Sequence, residues 1–230
     1  MVGQSSVLIT GANRGIGFAL SKKYMEAGFR VLATCPDLND SADLQALAKA
    51  SPSVEVFELD VTDGESIAHL VKVLKDETID ILINNAGIVS GDEEVVCNLD
   101  LDPSQIFGTI KEGAWETVLR TNMIGPAMVT EALLPNMQKS EAPKVIMISS
   151  RTGSITELLD PNFIAYSSSK AGLNAIMKNI SMHLQNDNFS VVSLNPGRVR
   201  TQMGGVEDAN LTPKESADKL FAIIDTLTPE

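Results

Sequence analysis

Six short apolar runs, at residues 6–10, 30–35, 54–59, 79–83, 144–148 and 189–194, alternate with stretches whose apolar residues recur at three- and four-residue steps. The runs have the length and β-branched content of strands buried on both faces. The stepped stretches each present one apolar stripe, as amphipathic helices do. The first stripe is Ile16, Ala19, Leu20, Tyr24 and Ala27. Another helix is predicted at 41–50, and a third starts after Thr62-Asp-Gly-Glu65, which has capping-box spacing. Residues 114–138 read as one long helix with Trp115, Val118, Leu119, Val129, Ala132 and Leu133 on its core face. Leu173, Ile176, Met177, Ile180 and Leu184 mark a helix over 165–185, and residues 217–226 the last one. Strands alternating with helices predict a parallel sheet covered on both faces, an α/β architecture.

Composition narrows the classes. A chain of 230 residues, 43% hydrophobic, suits one domain, residues 1–230, carrying every site itself. A net charge of −12 without a Lys/Arg run argues against nucleic acid and anionic membranes as partners. His69 and His183 are isolated, so no metal site is expected. Cys35 and Cys97 show no disulfide framework, and neither a signal peptide nor an apolar run of membrane-spanning length is present. The cytoplasm follows by elimination.

The candidate chemistry lies at the predicted strand ends. The first strand runs into Thr10-Gly-Ala-Asn-Arg-Gly-Ile-Gly17 and then a helix, an order suited to a pyrophosphate. A plain tight turn has the same local signature. Arg14 in this turn could reach a ribose 2′-phosphate, although a solvated loop residue would look alike. The end of the second strand holds Cys35 and Pro36, not the acid that would bind the ribose of NAD. Both features lean toward NADP. Asp60, closing the third strand, faces the crevice and could accept from an adenine amino group; a helix cap is its other reading. The fourth strand ends in Asn84-Asn-Ala-Gly87, small enough for a cofactor to cross, with Asn85 read as structural. Pro126 has no N–H to offer the carbonyl of Asn122, which leaves that oxygen to hold a water at a kink, unless Pro126 separates two helices. Residues 88–112, 151–164 and 198–205 are loops expected to border a substrate.

Tyr166 and Lys170 are four residues apart at the start of a predicted helix and so share one face. An ammonium ~4 Å from a phenol at an effective dielectric of ~20 is worth roughly 4 kcal/mol to the phenolate, enough to bring its pKa toward ~7. Taken alone, a surface pair has the same spacing.

Thr10-Gly, Gly15-Ile-Gly17, Asp60-Val61, Asn84-Asn-Ala-Gly87, Asn122, Ser149-Ser150, Tyr166-x-x-x-Lys170 and Asn195-Pro-Gly197 occur in this order over nearly the whole chain. The chain thereby resembles the short-chain dehydrogenase/reductases. Thr201-Gln-Met-Gly-Gly205 ahead of Leu211-Thr-Pro213 makes it most similar to the C-factor/sniffer-like carbonyl reductases. The resemblance implies a Rossmann-type, doubly wound parallel sheet in three α/β/α layers. Six strands are visible and the usual seventh is missing, with roughly twenty further residues in relatives.

The resemblance also implies an NADP(H)-dependent oxidoreductase that interconverts a ketone or aldehyde and an alcohol, with NAD(H) left open. Tyr166 would be the general acid/base. Lys170 would lower its pKa and bind the nicotinamide ribose, Ser150 would hydrogen-bond the carbonyl, and Asn122 would hold the relay water. The implied cofactor-binding set is Gly11, Asn13, Arg14, Gly15, Ile16, Gly17, Asp60, Val61, Asn84, Ala86, Gly87, Tyr166, Lys170, Pro196, Val199 and Thr201. Val199 and Thr201 would take its carboxamide end. The partner would be a small carbonyl or alcohol, and the resemblance admits a homodimer or homotetramer. Two alternatives stay open. One is a nucleotide-binding signalling protein on this scaffold with little turnover. The other is a reductase for a carrier-bound acyl group docking at Arg151, Arg198 and Arg200.

Overall fold

The computed structural model describes residues 4–91, 103–158, 160–203 and 209–229. Cys97, the middle of the 88–112 loop and the end of the 198–205 segment lie outside them.

Six strands among the described residues, β1 (Ser6–Ile9), β2 (Arg30–Cys35), β3 (Val54–Glu58), β4 (Ile81–Asn84), β5 (Lys144–Ile148) and β6 (Ser190–Leu194), form one sheet in the order β3-β2-β1-β4-β5-β6. Every pairing is parallel. Among the described residues seven α-helices accompany them: α1 (Gly15–Glu26), α2 (Ala42–Ala50), α3 (Gly64–Val73), α4 (Glu112–Leu119), α5 (Gly125–Met137), α6 (Ile164–His183) and α7 (Pro213–Asp225). The architecture is the expected Rossmann-type α/β fold.

Successive strand residues point to opposite faces, and both faces are covered. Val7, Ile9, Val31, Ala33, Ile81, Ile83 and Ile146 pack with Leu20 and Tyr24 of α1 and with Leu220 and Ile224 of α7. Leu8, Leu32, Leu82, Val145 and Met147 pack with Ile67 and Leu70 of α3, Val129 and Leu133 of α5 and Leu173 of α6. Burial on both sides explains why the strands read as unbroken apolar runs.

Several local expectations change. The cap of α3 is Asp63, whose carboxylate accepts from the Glu65 N–H. Thr62 turns back and donates to Asp60 instead. The capping box sits at the other end of the chain, between Thr212 and Glu215. It starts α7 at Pro213, ahead of the predicted residue 217, because Pro fits the first turn and the box satisfies the N–H groups there. Residues 112–137 stay helical, with α4 and α5 joined by a π turn at Arg120–Ile124. There the Gly125 N–H reaches back five residues to Arg120 O. Pro126 therefore does not separate two helices. Its missing N–H and its ring, facing the carbonyl four residues back, are accommodated by widening one turn.

Candidate active site

Strand order reverses between β1 and β4, so a crevice opens at their C-terminal ends. The Gly-rich turn lies on one side. Gly11 has φ +63°, and a Cβ there would stand 2.8 Å from Ala86 Cα. A Cβ at Gly17 would overlap the Gly11 carbonyl oxygen. The turn is held by Thr10, whose Oγ1 accepts from the N–H groups of Asn85 and Ala86, both at 3.0 Å. Asn85 Nδ2 donates to the carbonyls of Thr10 (2.9 Å) and Gly11 (3.0 Å), which is the structural role read from sequence. Arg14 caps α1 without a side-chain capping bond, and the first turn of α1 has no acid. Its N–H groups and positive dipole end thus face the crevice uncompensated, as a phosphate requires. The bare Cα positions and this helix end fit a dinucleotide.

Around the turn, Arg14 Nη1 is 4.0 Å from Asp40 Oδ2, both side chains exposed, and Asn13 Nδ2 donates to Asp40 O. Asp40 carried no signal in the sequence. Ile16 is partly buried in the core of α1. Gly15 lies opposite Thr201, 3.3 Å from a Cβ to Thr201 Cγ2. Val199 is buried and bridges to Leu211, and Pro196 O accepts from Ser216, so the segment after β6 is fixed to the start of α7. Asp60 departs from one of its two sequence readings, the helix cap. It caps no helix, and its Oδ1 is engaged by Thr62 N–H at 2.8 Å and Thr62 Oγ1 at 2.7 Å. Val61 is buried, its carbonyl 2.7 Å from a Cβ placed at Gly125. Asn84 is buried in β4 and donates to Thr130 Oγ1 at 3.0 Å.

Asn122, Ser150, Tyr166 and Lys170 converge across the crevice. Gly87 separates two of them: a Cβ there would be 3.2 Å from Asn122 Oδ1 and 3.7 Å from Lys170 Nζ. Asn122 is wholly buried in the π turn. Its amide donates to Ile88 O (2.7 Å) and Ser169 Oγ (3.1 Å) and accepts from Ile88 N–H (2.8 Å). Ser169 in turn donates to Tyr166 O at 2.7 Å. The side chain of Asn122 therefore has a task the sequence did not show.

Lys170 is buried and donates to Ile148 O at 2.8 Å. Its Nζ lies 5.7 Å from the Tyr166 ring centroid. Burial lowers its pKa to about 8, because the ammonium loses its water shell. Burial raises the Tyr166 pKa, opposed by a hydrogen bond with Ser150. The expected lowering of the phenol by Lys170 is thus outweighed here: desolvation disfavours the phenolate and the ammonium is aimed at Ile148. Ser150 Oγ accepts from Thr152 N–H (3.2 Å) and Thr152 Oγ1 (3.0 Å). With both acceptor positions used, its single hydroxyl proton is left for the Tyr166 oxygen beside it or for a substrate oxygen placed there. Thr152 and Ser169 gave no sequence signal of their own: Thr152 lies in the 151–164 loop and Ser169 inside Tyr166-x-x-x-Lys170.

Residues 5–211 match the sequence model of the short chain dehydrogenases. The chain belongs to the short-chain dehydrogenase family. It is accordingly an NAD(P)-dependent oxidoreductase with carbonyl reductase-like relatives. The NADPH-bound carbonyl reductase from chicken fatty liver is 31% identical and superposes with a TM-score of 0.86 over 99% of this chain and 94% of that one. Carbonyl reductase Sniffer of D. melanogaster is 28% identical, with a TM-score of 0.80 over 98% and 93%. C-signal of Myxococcus xanthus is 37% identical over 153 residues, 66% of this chain and 84% of that protein. Among the described residues of this family member no three His, Cys, Asp or Glu side chains form a metal-holding group. No described helix is long and apolar enough to cross a membrane.

Proposed function

We propose that the protein is an NADP(H)-dependent carbonyl reductase or alcohol dehydrogenase in which Tyr166 is the general acid/base. The observation that carries this reading is the position of the half-buried Tyr166 phenol beside the Ser150 hydroxyl, with buried Lys170 on the same helix face. A phenol whose pKa is raised is protonated at neutral pH, the form needed to give a proton to a carbonyl oxygen. A nicotinamide cofactor held in the crevice would be the source of hydride for the carbonyl carbon. Ser150, held by Thr152, points its one proton at the oxygen on which charge develops. Tyr166 donates its proton there and completes the alcohol. Lys170, largely ammonium below about pH 8, stands on the same side to favour the phenolate so formed. Asn122 and Gly87 keep Lys170 and the β4 end in register.

Gly11, Gly15, Gly17 and the start of α1 would hold the pyrophosphate, and Arg14 a 2′-phosphate. The chicken carbonyl reductase is an NADPH complex, which supports the same cofactor here. Val199 and Thr201 would take the carboxamide end, and Asp60, through its second oxygen, the adenine. A cytoplasmic location fits the buried free thiol of Cys35. The likeness to C-signal favours a second reading, a nucleotide-binding signalling protein.

The test is NADPH consumption by the purified protein with a set of aldehydes and ketones, beside a nicotinamide-fluorescence titration. Carbonyl-dependent consumption is expected. Tight NADPH binding without turnover of any carbonyl would replace this reading with the signalling one.

A further inference from the structure

Helix α6 begins without the side chain that usually caps such an end. Its N-cap is Phe163, which makes no side-chain capping bond, and the first described helical bond there joins Ser167 N–H to Phe163 O at 2.7 Å. The N–H of Tyr166, third residue of the helix, is one of the donors left over by this geometry. It is satisfied from another part of the chain: Gln105 Oε1 accepts it at 3.0 Å. The other end of the same amide, Gln105 Nε2, donates to Val89 O at 2.7 Å. Gln105 is 1% exposed, so both bonds form out of competition with water.

Resting on the activity proposed above, we infer that Gln105 is a positioning residue for Tyr166. It ties the catalytic helix to both ends of the connection between β4 and α4, since Val89 opens that connection and the 3₁₀ turn Pro103–Gln105 lies near its close. The backbone of Tyr166 is then gripped twice. Gln105 holds its N–H, and Ser169, which accepts from Asn122, holds its carbonyl at 2.7 Å. The two grips run to neighbouring carbonyls, Val89 through Gln105 and Ile88 through Asn122. Displacement of the β4 end would reach Tyr166 by both routes; the Gly-rich turn is fastened to that end by bonds of its own, through Thr10 and Asn85, while the two bonds of the Gln105 amide run to Val89 and Tyr166. Proton donation by Tyr166 is sensitive to a shift of a fraction of an ångström, whereas the bonds of the Gln105 amide reach the Tyr166 backbone and not the Gly-rich turn, so NADPH affinity is expected to change far less.

Gln105→Met removes both bonds at nearly constant volume. The expected result is a roughly ten- to a hundredfold loss of kcat with an unchanged Kd for NADPH, and faster amide hydrogen exchange at Tyr166. Gln105→Glu retains an acceptor for the Tyr166 N–H and should lose less kcat than the Met variant. It also serves if Gln105→Met does not fold. Accelerated exchange at Tyr166 with wild-type kcat would overturn the inference, as would equal losses of kcat and NADPH affinity or a Glu variant poorer than Met. Wild-type protein inert toward every carbonyl would remove the underlying activity, a result readable independently of the exchange data.

Discussion

Asn122 and Ile88 exchange two hydrogen bonds, Nδ2 to O at 2.7 Å and N to Oδ1 at 2.8 Å, as if the side chain were a short piece of adjoining strand. The pairing joins the π turn to the chain leaving β4, and a third bond carries it on to Ser169 and Tyr166. Asn122→Leu keeps the volume but leaves the half-buried Ile88 N–H and carbonyl without this partner. Such losses cost about 1–3 kcal/mol each when water cannot enter. A destabilisation of at least about 2 kcal/mol is expected in urea unfolding, with a loss of turnover larger than that of NADPH affinity.

Lys170 should leave a signature in the pH dependence of stability. Its pKa falls from 10.5 in the unfolded chain to about 8 in the fold. Below about 8 both states carry the proton and the fold bears the full cost of a buried ammonium. Between the two values the unfolded chain binds more protons, so stability from this group rises with pH. Linkage gives about 2 kcal/mol between roughly pH 7.5 and 9.5. Tyr166, raised by burial, acts in the opposite direction once phenols of the unfolded chain ionise near pH ~10, which closes the window. Lys144, also lowered by burial, contributes with the same sign as Lys170. The measured quantity is therefore the difference between wild type and Lys170→Met in urea unfolding at the two pH values. The wild type should gain about 2 kcal/mol over the variant, and equal pH dependence would contradict the burial of the charge.

Arg14 and Asp40 should act in opposite directions on one cofactor. Arg14→Ala is expected to weaken NADPH binding by roughly tenfold or more while NADH binding changes little, because only the former carries a 2′-phosphate on its adenosine ribose. Asp40→Asn removes the carboxylate 4.0 Å from the guanidinium and should tighten NADPH binding several-fold. Isothermal titration with both nucleotides checks this. Equal effects on both would remove Arg14 from the 2′-phosphate.

Much of this was legible along the chain. Strands packed on both faces leave unbroken apolar runs, so β1 to β6 could be placed within two residues at each end. The Gly-rich turn and Tyr166-x-x-x-Lys170 are local, and their spacing carries the chemistry. Gln105, Asp40 and the amide of Asn122 were not legible as partners, since they act over sequence distances of 61, 26 and 34 or more residues. An isolated Gln or Asp has the same signature on a solvated loop. The phenol pKa was misjudged for a related reason: helical spacing sets the face on which Tyr166 and Lys170 lie, but the direction of the ammonium depends on the Ile148 carbonyl from β5. The misplaced capping box has a local cause. Thr62 had two acceptors in reach, and the Asp60 carboxylate holds it while Asp63 takes the helix end.

The most direct measurement is turnover by wild type and Tyr166→Phe with saturating NADPH and one accepted carbonyl, alongside NADPH titration of both. Loss of the phenolic proton should lower kcat by roughly a hundredfold or more and leave NADPH affinity within about twofold. A Tyr166→Phe protein that reduces the carbonyl at the wild-type rate would contradict the assignment of Tyr166 as the proton donor.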